Sequence, residues 1–399
     1  MTPAPTFRLR PFDAGRDEAA VRRILALSFA GTTEGVGAYL DLVGRSEMRV
    51  LDEGTASAAA CLARIPMGQF FGGSSVPMVG IAGVGVAPEA RGGGRAIALM
   101  QTCLRELAEE RVPLSCLYAS TQALYRQVGF EQAGSKFEYR IPLRQLTEGT
   151  RDLPIESLDA PDDRVRACYD SFARRYDGML DRGPFIWSRV KQFRETTNTG
   201  FGVAPAGVGT ALEGHVYFHQ SRRDDGRHDV VISDIAHSTP RAAMRLLGLL
   251  RDFASMGLTL TLTGGPCHPL MSLLNQQWVE MRLRDWWMLR IVDLEQAIAR
   301  RGYSRSVSVA VPLELEDELL PANAGRWMLR VQNGRGDVTR DALSTPCVRA
   351  SARGIAAMYS GFMSPGQCEL LGLCDGPDAL LAALGAAFAG TAPWMSDHF

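Results

Sequence analysis

The sequence lacks an excess of charge of either sign. Its 43 Lys and Arg residues oppose 44 Asp and Glu residues, which leaves a formal net charge of −1 over 399 residues. Binding to nucleic acid through bulk charge needs a basic surplus, so we expect no nucleic-acid partner. Disorder is excluded as well, because 46% hydrophobic and 22% charged residues are ordinary globular values. The length predicts two to three domains.

Cysteine is scarce and follows none of the common motifs. A disulfide-rich scaffold needs a denser set, and no C-x-x-C pair is present to suggest a zinc ribbon or a thioredoxin motif. We therefore expect no metal and no disulfide framework, and free buried thiols in a reducing cytoplasm. The eight cysteines stand at positions 61, 103, 116, 168, 267, 347, 368 and 374.

Long apolar runs are also missing. Residues 1–10 lack the apolar core of an export signal. The longest charge-free run, residues 65–88, could span a bilayer by length alone, but it contains two prolines and six glycines. Its composition predicts two strands around a Gly-Ser loop, so we expect no contact with a membrane.

The order of predicted elements divides the chain into three units. Residues 1–150 alternate strands with helices, and the helix with the clearest apolar spacing covers residues 96–110. Residues 151–288 repeat the order of strands, helix (239–256) and strand, which predicts a degenerate internal duplication. Residues 289–399 show no catalytic spacing. We predict mixed α/β architecture throughout.

One segment carries the chemistry of a binding site. A predicted strand ends at Val86, the turn Arg91-Gly92-Gly93-Gly94-Arg95 follows, and a helix begins at Ala96. The first N–H groups of a helix are unpaired and lie at its positive end. Glycines let main-chain amides approach a ligand, and the arginines add charge. The segment predicts a pyrophosphate site, but it matches neither a Walker A loop nor a G-x-G-x-x-G fingerprint.

This segment resembles the acetyl-CoA motif of GNAT acyltransferases, Arg/Gln-x-x-Gly-x-Gly/Ala, with Arg91, Gly94 and Ala96 at the defined positions. From the residues alone, a plain strand-to-helix turn remains the alternative. Residues 325–331 (GRWMLRV) and 355–361 (IAAMYSG) are similar to sterol carrier protein domains. The three-part order resembles the Eis (enhanced intracellular survival) acetyltransferases. It implies two tandem GNAT folds plus a sterol-carrier-like domain, acetyl-CoA as cosubstrate, and a homohexamer.

The resemblance also implies roles for individual residues. Tyr125, just before the pair Gly129-Phe130, would be the general acid, and the α-carboxylate of Phe399 would be the base. The alternatives without a catalytic role are a core tyrosine at position 125 and a frayed terminus at position 399. The residues expected to bind the cofactor are Val84, Gly85, Val86, Arg91, Gly92, Gly93, Gly94, Arg95, Ala96, Ser120 and Thr121.

The resemblance implies an amine substrate of the aminoglycoside class, held by carboxylates and aromatic faces. Two alternatives stay open: an acetyltransferase for protein lysines or other small amines, and a lipid-binding or adaptor protein with a vestigial GNAT unit. The candidate residues for binding a polycationic amine are Phe29, Glu34, Tyr39, Trp187 and Asp397.

Overall fold

The computed structural model describes residues 7–52, 58–342 and 346–399. Residues 1–6, part of the stretch 1–10 in which we expect no export signal, lie outside the described residues. The helices in these ranges are α1 (Ala14–Phe29), α2 (Thr33–Val43), α3 (Arg95–Glu109), α4 (Gln122–Arg126), α5 (Asp163–Ala173), α6 (Pro184–Lys191), α7 (Pro240–Arg251), α8 (Leu294–Arg300), α9 (Ala352–Ser360), α10 (Pro365–Leu370) and α11 (Asp378–Phe388).

Strands supply most of the remaining regular structure. Their bounds are β1 (Arg8–Pro11), β2 (Met48–Asp52), β3 (Ala60–Phe71), β4 (Ser74–Val86), β5 (Leu114–Tyr118), β6 (Glu131–Pro142), β7 (Ile155–Leu158), β8 (Leu180–Asp181), β9 (Gln192–Phe193), β10 (Thr196–Thr197), β11 (Thr199–Val203), β12 (Gly214–Arg222), β13 (His228–His237), β14 (Gly257–Gly264), β15 (Glu280–Ile291), β16 (Val309–Glu316), β17 (Gly325–Gln332), β18 (Arg335–Arg340), β19 (Val348–Ser351) and β20 (Cys374–Asp375).

Local sequence signals explain where many elements begin. The side chain of Asp13 accepts hydrogen bonds from the first amides of α1, and Thr239 caps α7 in the same way, directly before Pro240. The apolar stripe of α3 is buried as its spacing predicts. The charge-free run forms the β3–β4 hairpin, which confirms the two predicted strands. Within the described ranges, no helix is both long and apolar enough to cross a membrane.

One large sheet joins the first two units. All neighbouring strands are antiparallel except two pairs, β4–β5 and β13–β14. Each parallel pair ends a run of four antiparallel strands, β1-β2-β3-β4 in one half and β7-β11-β12-β13 in the other. The two halves of the sheet therefore have the same arrangement of strands. The strand order is β1-β2-β3-β4-β5-β15-β6-β14-β13-β12-β11-β7, with β8 pairing beside β3.

The two central strands are shared between the halves. β15 follows β14 in sequence, yet it pairs with β5 and β6 in the first half. β6 in turn pairs with β14 of the second half. The predicted division at residues 288 and 289 falls inside β15, and the division of the chain into 1–150, 151–288 and 289–399 stays a prediction.

The third unit has its own five-stranded sheet, β18-β17-β16-β19-β20. Its apolar residues join those of the first unit in one continuous core. The last segment then turns back to the large sheet, where Trp394 bridges to Ser135 on β6. All eight cysteines are free, and Cys267 is exposed although we expected buried thiols.

Candidate active site

A gap opens in the first half of the sheet between β4 and β5. Their parallel pairing ends at Gly80 and Cys116, although the strands continue to Val86 and Tyr118. Beyond this point the main-chain groups on the facing edges have no strand partner across the gap. They are therefore available to a ligand, which is where the sequence placed Val84, Gly85 and Val86.

A bulge distorts β4 beside the gap. Gly83 and Val84 stand opposite the single residue Leu62 of β3, because the register shifts between Cys61 and Ala63. Gly83 has a φ of +57°, which a residue with a side chain rarely adopts. The bulge includes Val84, the first of the residues expected to bind the cofactor, and directly precedes Gly85 and Val86.

The glycine-rich turn has the open backbone that an anion site needs. Gly92 and Gly94 have φ values of +81° and +74°, and apart from their chain neighbours no heavy atom of residues 7–52, 58–342 or 346–399 lies within 4 Å of an ideal Cβ at either position. Gly94 is the N-cap of α3 and supplies no side chain to the helix amides. Arg91 is exposed, whereas Arg95 donates a 2.9 Å hydrogen bond to the carbonyl of Ala90. The turn therefore offers helix amides and a positive end to a phosphate group.

Tyr125 lies on α4, on the α3 side of the sheet. Its ring is 6% exposed and packs edge-to-face against Phe130, with ring centres 6.2 Å apart. It shares an apolar cluster with Val79 and Ile81 of β4. Burial raises the pKa of Tyr125 to about 12, so its hydroxyl remains protonated at neutral pH.

Phe399 reaches the same gap from the opposite face. It is 8% exposed, and its ring stands 5.7 Å from that of Tyr118 in an edge-to-face contact. An ideal Cβ on Gly80 would lie 2.7 Å from the Phe399 ring, so only glycine leaves room there. Its cluster contains Met78 and Ala82, whose side chains alternate along β4 with those facing Tyr125. The two predicted catalytic residues thus lie on opposite faces of the sheet.

The other predicted residues lie around this gap with different exposure. Ser120 and Thr121 are exposed between β5 and α4, and Thr121 makes no side-chain capping bond. Tyr39 borders the bulge, since its hydroxyl would lie 3.3 Å from a Cβ on Gly83. That hydroxyl is buried and has no hydrogen-bond partner within the described part of the chain, and burial raises the pKa of Tyr39.

Phe29 and Glu34 are exposed at the surface of the first domain. Phe29, the last residue of α1, is 58% exposed, and Glu34 is exposed in the first turn of α2. Their predicted contact with a substrate stays a prediction.

Trp187 and Asp397 meet at a residue that the sequence did not single out. Arg182 stacks 4.9 Å from the centre of the Trp187 ring, and its guanidinium lies 3.0 Å from the Asp397 carboxylate. The charge of Asp397 is therefore matched inside the protein. Its predicted role in holding a cationic substrate stays a prediction, but the carboxylate already has a partner.

Two further cations near the chain end were missed. Lys136 of β6 is 9% exposed, has no ion-pair partner among the described residues, and lies 6.0 Å from the centre of the Tyr118 ring. Burial lowers its pKa to about 8. Arg189 of α6 donates to the carbonyl of His398. Neither residue belongs to a sequence motif. Each lies near the gap because of contacts between distant segments: Lys136 with Tyr118 of β5, and Arg189 with the returning tail.

Comparison with known proteins agrees with this geometry. Acetyltransferase (GNAT) domain models match residues 14–133 and 178–291, and a sterol carrier protein domain model matches residues 294–396. The crystal structure of a GCN5-related N-acetyltransferase from Anabaena variabilis has a TM-score of 0.93 and 32% identity, covering 99% of this chain and 100% of that one.

Two curated relatives extend the comparison. An uncharacterized N-acetyltransferase of Streptomyces avermitilis is 28% identical over 87% of this chain and 86% of its own length. N-acetyltransferase Eis of Mycobacterium tuberculosis is 24% identical over 66% of each chain. These matches confirm the predicted order of two GNAT folds and a sterol-carrier-like domain, and they show that the protein is an N-acetyltransferase. The chain belongs to the GCN5-related N-acetyltransferase family and has the Eis-type arrangement of domains.

Proposed function

We propose that the first GNAT domain transfers an acetyl group from acetyl-CoA directly to a primary amine in the gap between β4 and β5. The observation that carries the proposal is the position of Tyr125 and Phe399 on the two faces of this gap. Bound acetyl-CoA supplies an activated thioester. The chain must then hold the cofactor, accept a proton from the amine and protonate the departing sulfur.

The residues present fit the cofactor. The exposed turn Arg91–Gly94 and the first amides of α3 would hold its pyrophosphate, because they combine donors with a positive helix end. The unpaired edge of β4 at Val84 and Val86 would hold the pantetheine arm through main-chain hydrogen bonds. Gly85, Gly92, Gly93, Arg95 and Ala96 complete this surface, and Ser120 and Thr121 flank it.

Tyr125 would act as the general acid. A hydroxyl whose pKa is raised to about 12 is fully protonated at neutral pH. It can therefore donate a proton to a thiolate as negative charge develops on the sulfur. Its position on the α3 side agrees with a cofactor bound from the side of the glycine-rich turn.

The α-carboxylate of Phe399 would act as the base. Such a carboxylate ordinarily titrates near about 3.3–3.7, so it is a weak acceptor for the proton of an ammonium group. The nearby cations Lys136 and Arg189 would make the proton transfer to this carboxylate easier, because like charge lowers the pKa of an incoming ammonium group. A water molecule would relay the proton where the distance is too long for direct transfer.

The substrate to test first is an aminoglycoside-like polyamine, which the resemblance to Eis acetyltransferases implies. A specific observation favours the second candidate, a small amine or a protein lysine. Lys136 and Arg189 would repel a polycation, and the one predicted carboxylate beside them, Asp397, is already paired with Arg182. A panel of amines in a free-thiol release assay separates the two classes. The predicted homohexamer can be tested by light scattering.

The role of Phe399 is tested by adding Gly-Ser after it. Intact mass first establishes that Phe399 ends the mature protein. We expect the extended protein to lose at least about 100-fold in kcat, because the base moves away from the gap, with an unchanged KM for acetyl-CoA. The same dipeptide added at the amino terminus is the control. Full activity of the C-terminal extension would contradict the assignment.

A further inference from the structure

The second GNAT domain repeats the geometry of the active gap. Its parallel strands β13 and β14 stop pairing at Val231 and Thr261, but they continue to His237 and Gly264. A bulge follows here too, since Ser233 is an extra residue between the register pairs of β13 with β12. In the first domain the corresponding place lies beside the proposed reaction site.

The chain's own tail lies at this second gap. The Thr263 hydroxyl donates a 3.3 Å hydrogen bond to the carbonyl of Ser396. Trp394 packs where Gly178 and Gly265 leave room, because a Cβ on either glycine would collide with it. The cavity that remains between β13, Thr263 and the tail is about 10 Å³, room for about one water molecule. A substrate has no space here.

An ion-pair network ties the tail to this domain. The bulge of β13 is followed by Asp234, which binds Arg182 through two hydrogen bonds of 2.9 and 2.7 Å. Arg182 then binds Asp397 at 3.0 Å. The Arg182 side chain is fully buried and stacks 3.7 Å from the centre of the Tyr169 ring. His215 supports Asp234 from behind at 2.9 Å.

Fixing Asp397 also fixes the chain end. The Tyr118 hydroxyl donates a 2.6 Å hydrogen bond to the carbonyl of Asp397, and His398 stacks on the Tyr118 ring at 4.5 Å. Phe399 is only two residues beyond Asp397, which allows a reach of about 7 Å. A shift of Asp397 would therefore be passed to the terminal group.

We propose that the second GNAT domain, which lacks the glycine-rich turn, works as a clamp for the tail: Asp234 orients Arg182, and Arg182 holds Asp397 so that Phe399 stays at the active gap of the first domain. Asp234, Arg182 and Asp397 are positioning residues in this scheme. The inference rests on the proposed function, because it assigns the clamp to the base of that reaction.

Charge balance makes the clamp specific for a carboxylate. Removing Asp397 leaves Arg182 buried with one counter-ion instead of two, which weakens the attachment of the tail but leaves the Arg182–Asp234 pair inside the domain. Asp397→Asn keeps the shape and removes the charge. Asp397→Glu keeps the charge and offers a partial rescue.

The experiment compares Asp397→Asn, Asp397→Glu and the surface control Asp159→Asn. Asp159 is exposed and pairs with Lys191, away from the tail network. We expect Asp397→Asn to lower kcat at least about tenfold, with KM for acetyl-CoA and for the amine within about twofold. Hydrogen exchange should become faster at residues 394–399 and nowhere else. Asp397→Glu should recover part of kcat, and Asp159→Asn should match the wild type.

Three outcomes would overturn the clamp: unchanged kcat in Asp397→Asn, a raised KM for the amine with normal kcat, or lowered kcat without faster exchange in the tail. The raised KM would assign Asp397 to the substrate instead. If Asp397→Asn aggregates, Arg182→Lys keeps the charge while losing the fork geometry, and the same readouts apply. The terminal extension separates the two proposals: if it abolishes turnover while Asp397→Asn does not, only the clamp fails.

Discussion

The two GNAT domains share a fold but differ in what occupies the gap between their parallel strands. In the first domain the glycine-rich turn at Arg91–Gly94 is open and the gap lies between Tyr125 and Phe399. In the second domain Trp394 and Ser396 of the chain's own tail lie at the gap. The same place in the fold lies beside an open glycine-rich turn in the first domain and beside a capped helix start in the second, where Trp394 and Ser396 of the tail pack.

The difference between the two gaps arises at a few residues of the bulge and of the helix start. Where the first domain has Gly83 at its bulge, the second has Ser233 followed by Asp234, which is committed to Arg182 and His215. Where the first has glycines before α3, the second has Thr239 as the N-cap of α7 and Pro240 as its first residue. The Thr239 side chain accepts a hydrogen bond from the amide of Ala242, and Pro240 has no N–H, so fewer helix amides are left for a phosphate. In our proposals the duplicated fold divides two tasks, catalysis in the first domain and support of the chain end in the second.

The largest effect is expected at the proposed general acid. Tyr125→Phe removes only the hydroxyl, and we expect kcat to fall about 100-fold or more, with KM for acetyl-CoA little changed. The matched control is Tyr217→Phe in the second domain. Tyr217 is also buried, and its hydroxyl has no hydrogen-bond partner among the residues that the structure describes, so its loss should not lower stability or activity. Equal rates for the two variants would contradict the role of Tyr125.

A smaller effect is expected at the glycine-rich turn. Arg91→Glu reverses a charge beside the proposed pyrophosphate site, and we expect KM for acetyl-CoA to rise about tenfold, equivalent to about 1.4 kcal/mol. The control is Arg241→Glu on α7, where Arg241 forms an exposed ion pair with Asp152. Such pairs contribute little to stability. Steady-state kinetics that show the same KM for both variants would remove Arg91 from the site.

The smallest effect concerns pH and the clamp. Burial lowers the pKa of His215, but its hydrogen bond to Asp234 and the charge of that carboxylate outweigh this, and the pKa is raised from 6.5 to about 9. The charged pair of His215 and Asp234 therefore stabilises the folded protein fully below pH 6.5, and this contribution to the free energy of unfolding is lost as pH rises to about 9. His215→Gln should flatten the dependence of Tm on pH in this window by a few degrees.

The variant must be compared with the wild type at each pH. Lys136 makes the folded protein more stable as pH rises between about 8 and 10.5, the ordinary pKa of lysine. In this range its buried amine is already neutral in the folded protein but is still charged in the unfolded chain. The difference between the two proteins cancels this contribution. An unchanged slope in His215→Gln would show that His215 is neutral in the folded protein.

Prediction from sequence worked best where the signal is local. The turn before α3, the β3–β4 hairpin and the order of the first two units follow from glycine content, alternation and helical spacing, and the structure agrees with them. Arg182 carried no such signal. Its partner Asp397 is 215 residues away in sequence, and a single arginine after a short strand has nothing to distinguish it.

The amino-acid sequence alone indicated the class of fold, the repeated order of elements and the glycine-rich turn before α3, because these depend on composition and on the spacing of residues close along the chain. Only the tertiary structure decided that β15 inserts beside β5, that Trp394 and Ser396 of the tail lie at the gap of the second domain, and that Lys136 and Arg189 lie near the chain end. Those contacts join segments far apart in the sequence, and the local pattern of residues does not indicate which distant surfaces pack together.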